Sequence, residues 1–146
     1  MRIQGTYTLH APRERVWEAL LDPAILAQSL PGCEELLPAG PEQYEMKMKV
    51  AMGMVNGLFT GRVRLTDQQE PESYALHLNG TGKIGFVTGV GRFRLEEAGE
   101  NQTTVDYEGE MQAGGLIAGV GQRLMDMSAK MMIKRFFASL DNQLAA

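Results

Sequence analysis

The sequence holds a single cysteine, Cys33, so no internal disulfide can form. A reducing compartment fits that usage. Histidine is almost as scarce, with only His10 and His77. Neither falls into a closely spaced His/Cys/carboxylate set, so a metal site is not expected. No run approaches the ~18 consecutive apolar residues of a membrane span. Met1 opens a polar, alternating segment (Arg2-Ile3-Gln4-Gly5-Thr6-Tyr7-Thr8) rather than a charged region and an apolar one, so no secretory signal is expected. The expectation is a cytoplasmic protein. Basic charge is in the minority, 14 Lys and Arg against 18 Asp and Glu, for a net charge of -4. That balance argues against nucleic acid as a partner. What remains is one domain, residues 1–146, with no need of disulfide or metal: a chain of this length can bury roughly 70% of its unfolded surface.

Ile3, Gly5, Tyr7 and Leu9 alternate along a first strand. Pro12 suits the first turn of a helix, and Val16, Trp17, Leu20 and Leu21 follow at helical spacing up to Asp22-Pro23. A second short helix is expected over residues 24–30, ended by Pro31-Gly32. From Cys33 to Gly114 the period is two. Tyr44, Met46, Met48, Val50, Met52 and Met54 share one face, opposite Glu45, Lys47 and Lys49. Asn56-Gly57 reads as a hairpin turn. Phe59, Gly61, Val63 and Leu65 continue the alternation, as do Tyr74, Leu76 and Leu78, then Gly91, Phe93 and Leu95, then Val105, Tyr107, Gly109 and Met111. The pattern predicts an antiparallel meander with one solvated face. On that face Arg92 and Arg94 are expected opposite Asp106, Glu108 and Glu110. After Gly114-Gly115 the period becomes 3.6, predicting a nearly continuous helix over 115–144. Its inward line would be Ile117, Gly121, Leu124, Ser128, Met131, Met132 and Arg135. The class is α+β: a curved sheet of six to seven strands must cover its apolar face, and the last helix is the only element large enough.

Glycine and methionine are abundant, at 17 and 10 residues. Two methionine groups fall on facing surfaces, Met46, Met48, Met52 and Met54 on a strand, and Met125, Met127, Met131 and Met132 on the closing helix. Methionine is over-used on adaptable apolar binding surfaces. Gly61, Gly91, Gly109, Gly121 and Ser128 put small residues at inward positions, leaving volume to fill. A methionine-rich face also makes ordinary core, and inward glycines also mark strand bends; on pattern alone both readings stand. If the space is real, its walls are Met46, Met48, Val50, Met52, Phe59, Val63, Phe93, Leu95, Tyr107, Leu124, Ser128, Met131 and Met132.

Nothing points to a catalytic constellation. His77 is expected on the solvated face, and Cys33 as a small buried hydrophobe. Gly89-Val90-Gly91 and Gly119-Val120-Gly121 lack the strand–turn–helix setting of a dinucleotide fingerprint. Tyr7, Tyr74 and Tyr107 read as core tyrosines reaching a polar partner.

Several segments carry a resemblance: Val16-Trp17-Glu18-Ala19-Leu20-Leu21-Asp22-Pro23, then Leu30-Pro31-Gly32-Cys33-Glu34, then Gly57-Leu58-Phe59-Thr60-Gly61-Arg62-Val63. Gly114 through Leu124 and Phe136-Phe137-Ala138-Ser139-Leu140 complete it. In this order and spacing the chain resembles the carbon monoxide dehydrogenase CoxG family, within the START-like, or Bet v 1-like, helix-grip superfamily. The resemblance implies a helix-grip fold with a deep apolar cavity. It implies an accessory role for a molybdenum carbon monoxide dehydrogenase, by membrane recruitment or by carriage of a fatty acid, lipid or quinone. The chain ends just after the closing helix, so anchoring through the longer tail of some members is not expected; a peripheral membrane contact stays open. The expected function is non-enzymatic binding of such a hydrophobic small molecule, with no cofactor. One alternative is a polyketide cyclase/aromatase-like enzyme, for which Arg135 is the only inward charge. The other is a protein-interaction module using the helix edge of Arg123, Lys130 and Lys134.

Overall fold

The computed structural model describes residues 1–145 except Gly53, and Met52 by its backbone alone. Strand β1 (Arg2–Leu9) is followed by helices α1 (Arg13–Leu20) and α2 (Pro23–Ser29). Six more strands run in succession: β2 (Cys33–Pro38), β3 (Gln43–Met52), β4 (Val55–Gln69), β5 (Ser73–Gly82), β6 (Gly85–Gly99) and β7 (Gln102–Gly114). A 3-10 turn (Gly115–Val120) leads into the closing helix α3 (Gln122–Ala145). The strands make one antiparallel sheet in the order β1-β7-β6-β5-β4-β3-β2. Every link except β1–β7 is thus a hairpin between sequence neighbours, as short turns between alternating segments require.

The register puts the alternating apolar residues on one face. Met46 lies opposite Gly61, Gly61 opposite Gly80, Phe93 opposite Tyr107, and Leu95 opposite Val105. Two separate apolar clusters occupy this face. The first gathers Leu9, Val16, Trp17, Leu20, Leu65, Tyr74, Leu95 and Val105 with Phe137, Leu140 and Leu144 of α3. The second, at the other end of the sheet, is built on Met48, Phe59, Ile84 and Ile117.

Three expectations need correction. Asn56 and Gly57 are not the hairpin turn: β3 and β4 pair from Gln43↔Arg64 to Met52↔Val55, so both residues lie inside the ladder. Gly57 is a strand position where a Cβ would come 2.9 Å from Ile84, so bulk there is excluded by packing rather than by turn geometry. Met54 does not share the inward face; it is 98% exposed, just before β4 begins. The closing helix is not continuous from 115. A tighter 3-10 segment ends at Gly121, whose φ of +97° suits glycine, and α3 starts afresh beyond it. That break resets the helical phase. The buried line of α3 ends in Phe137, Leu140 and Leu144, while Arg135 and Met131 point outward.

The charged pairs on the outer face also differ in detail. Arg92 lies opposite Glu108 and Arg94 opposite Asp106 in register. Their guanidinium groups nevertheless reach Asp67 at 4.0 Å and Glu96 at 3.2 Å. Glu108 is 3.7 Å from Arg2 instead. Long arginine stems choose among several carboxylates at little cost when all are solvated.

Candidate functional site

The C-terminal part of α3 is fastened to the sheet and to the short helices. Phe137 stacks on Tyr7 and Tyr107, with ring centroids 5.2 Å and 5.5 Å away. Asp141 accepts from the His10 backbone N–H at 2.8 Å, and its other oxygen meets His10 Nδ1 at 2.9 Å. Gln143 donates to Ser29 Oγ at 2.6 Å, and Ser29 in turn donates to the Ile25 carbonyl. These contacts bind β1, α2 and α3 into one unit.

The N-terminal part behaves otherwise. Across residues 122–136 no side chain of α3 is fully buried; Leu124, Ser128, Ala129, Met132 and Ile133 are half-buried. Beneath it the inner face of the sheet carries small residues in a band between the two clusters. Gly61 faces Gly80 across β4 and β5, Gly89 faces Met111, and Gly91 faces Gly109 across β6 and β7. A Cβ built at Gly91 would meet only Glu108 and Phe93 of the sheet within 4 Å, and one at Gly80 only Phe59 and Val87. The bulkier residues of the band, Val63, Leu76, Leu78, Phe93, Tyr107 and Met111, remain half-buried although they point toward the helix. In a closed core these positions lose contact with water. Here a partly open apolar space lies between the sheet and the first half of α3.

Of the expected wall residues, Val63, Phe93 and Tyr107 lie on the sheet side of this space, and Leu124, Ser128 and Met132 are the half-buried residues of the helix. Met46 and Val50 are half-buried beside the second cluster, in which Met48 and Phe59 are buried. Leu95 belongs to the first cluster at 1% exposure, closed over by α1 and the end of α3. Met131 is 51% exposed on the far side of α3. The Met52 side chain lies outside the described residues. Residues that the sequence pattern did not single out are Gly80, Gly89, Leu76, Leu78 and Met111. Their signal was present in the same alternation, but it becomes a site only once register puts them side by side.

The ionisable groups near the space are poorly suited to proton transfer. Burial pushes the Tyr74 and Tyr107 phenols well above their ordinary range. The Tyr44 phenol is raised by burial first and by Asp22 and Glu42 next, and it donates to the Leu21 carbonyl at 3.1 Å. Burial also raises the Cys33 thiol, which is half-buried and donates to the Glu35 carbonyl at 3.4 Å. A raised thiol keeps little thiolate at neutral pH and is a weak nucleophile. His77, on the outer face, shares a 3.0 Å hydrogen bond with Thr66 Oγ1. No group of three metal-ligating side chains exists among the described residues.

Two shallow grooves of about 710 and 440 Å³ open on the opposite, polar face of the sheet. The first is lined by Thr6, Arg92, Arg94 and Asp106 among others. Its charges are spent on their neighbours, as in the Arg92–Asp67 pair and the 2.8 Å hydrogen bond from Thr6 to Asp106. It is a solvated outer surface.

A curved seven-stranded antiparallel sheet closed by a long C-terminal helix, with two short helices after the first strand, is the START-like helix-grip fold. A START superfamily protein from Mycobacterium smegmatis superposes with a TM-score of 0.75 at 12% identity, covering 99% of this chain and 97% of that one. The Zhui aromatase/cyclase from Streptomyces sp. R1128 gives 0.73 at 16% identity, covering 99% and 93%. At such identities the likeness carries the fold alone. A conserved protein from Geobacillus kaustophilus is much nearer, with 30% identity and a TM-score of 0.95 over 99% of this chain and 95% of that one. Residues 5–145 match the carbon monoxide dehydrogenase CoxG family, and the chain belongs to it. A search of the curated proteins finds no match.

Proposed function

We propose that this protein binds and carries an apolar, lipid-like or quinone-like molecule between its sheet and the first half of α3, without transforming it. The family's name makes a carbon monoxide dehydrogenase-type system the setting in which such a carrier would work. The observation that supports this reading is the glycine band. Inward-facing apolar residues stay half-buried beneath a helix that contributes no fully buried side chain over residues 122–136. A protein with no use for that space would gain stability by filling it.

The energetics suit a carrier. A sixteen-carbon chain gains about 0.8 kcal/mol per buried methylene, about 13 kcal/mol gross. Association costs roughly 4–15 kcal/mol. What survives is reversible, modest binding.

The enzymatic alternative draws on the shared fold of the Zhui aromatase/cyclase. Chemistry of that kind needs an acid or base aimed at the ligand. Tyr74 and Tyr107 are held protonated by burial, and Arg135 points away from the sheet. These features favour the carrier. The test is native mass spectrometry of the purified protein, followed by solvent extraction. An extracted apolar molecule recovered unchanged after incubation supports the reading; turnover of that molecule, or recovery of a protein that binds no apolar probe, contradicts it.

A further inference from the structure

The basic side chains of this chain divide into two groups. Arg2, Arg13, Lys47, Arg62, Arg92 and Arg94 each lie within 4.0 Å of a carboxylate. Lys83, between β5 and β6, and Arg123, Lys130 and Lys134 on α3 form no ion pair among the described residues. The last three are exposed and stand on one stripe of α3 with Met127 and Met131, at steps of four, three, one and three residues. Both methionines are exposed, at 57% and 51%. Asp126 is the single acid over residues 122–138, and Gln122 binds it at 3.0 Å off the stripe. This surface is positive on a chain of net charge -4.

The end of the molecule from which α3 departs is apolar as well. Leu116 of the 3-10 turn is 67% exposed. Its neighbour Ile117 is buried in the second cluster and donates its N–H to the Ile84 carbonyl at 2.8 Å, which fixes the turn beside the β5–β6 hairpin. Phe86 packs over Gly114 just before the turn and is 46% exposed; Leu58, whose carbonyl abuts Gly82, is 54% exposed. Met54, at the β3–β4 tip, is 98% exposed.

We infer that this end docks on an anionic lipid bilayer, with Leu116, Met127 and Met131 entering the interface and Arg123, Lys130 and Lys134 reaching headgroup phosphates. Charge complementarity selects an anionic occupant, because the stripe holds cations that nothing on the molecule neutralises. The apolar residues select a fluid one. They are separate, flexible side chains projecting from turn tips and one helix edge, whereas a protein interface packs around a continuous apolar centre. Lysine and arginine stems can lie along an apolar boundary while their charged heads stay with phosphate. A basic, methionine-bearing helix face lying in the interface plane is physically sound for this surface. The docking does not depend on what the space beneath α3 holds.

The test is flotation of the full chain with vesicles of phosphatidylcholine alone, or with a third of phosphatidylglycerol, at low and high salt. The expected result is binding to the anionic vesicles only, released by salt. Arg123→Gln/Lys130→Gln/Lys134→Gln should lower partitioning by on the order of a hundredfold at roughly one kcal/mol per basic residue. Leu116→Ser/Met127→Ser/Met131→Ser should lower it by about tenfold or more through lost apolar burial. Thermal melts should match the parent for both variants, since these side chains are exposed. Failure of the parent to float with anionic vesicles overturns the proposal, as does equal flotation of the charge variant. Binding to an immobilised acidic protein without binding to vesicles would assign the surface to a protein partner and equally overturn it.

Discussion

The two halves of α3 share one helix and one sheet but serve different ends. From Phe137 to Leu144 the helix is stacked, hydrogen-bonded and buried, and it closes the cluster that holds α1 and the strand centres together. From Gln122 to Phe136 it spans the glycine band with half-buried and exposed side chains. Helix stability comes mostly from tertiary packing, so the second half can hold the first in place over a space that is not filled. Fold and ligand site can then be altered separately, by changes a few turns apart on one element.

That contrast can be broken most severely at the anchor. Phe137→Ala should destabilise the domain by about 3–5 kcal/mol, because the ring is buried between Tyr7 and Tyr107; urea unfolding measures it. Asp141→Ala removes both contacts with His10 at the same end of the helix. About 1 kcal/mol is the expected loss there, since the pair is partly exposed. In the first half, Met131→Ser should change stability by less than about 0.5 kcal/mol, as befits an exposed position. Equal losses at Phe137 and Met131 would erase the distinction. The smallest effect belongs to Cys33. Its burial-raised thiol should react with iodoacetamide more slowly than a free cysteine at neutral pH, and Cys33→Ala should leave ligand binding intact.

Much of this was legible in the chain because period two and period 3.6 are set by backbone geometry. Tyr44, Met46 and Met48, or Phe93 and Leu95, could belong to one face only, and the strands followed. The helix phase was not legible. Projecting the inward line from Ile117 placed Met131 and Arg135 inside, because the 3-10 turn and the positive φ at Gly121 are not visible as a change of hydrophobic period. The methionine groups misled for a related reason. Met54 and Met127 are as apolar as Met48, and only tertiary position separates an exposed methionine from a buried one. Leu95 fitted the strand pattern of a wall residue, but α1 folds back over that part of the sheet. The Asp141–His10 contact joins residues 131 apart in sequence, where local patterns carry no information.

The most direct test of the central claim is a titration of the parent protein and Ser128→Phe with a fluorescent fatty acid or quinone analogue, beside their thermal melts. Ser128 is half-buried on α3 above the band, so a phenyl ring there should occupy ligand space while leaving the anchor at Phe137 untouched. The account predicts saturable binding by the parent, a loss of most of it in the variant, and little change in melting temperature. Absence of binding by the parent, together with a loss of about 1–3 kcal/mol of stability in the variant as an overpacked core would show, would contradict it.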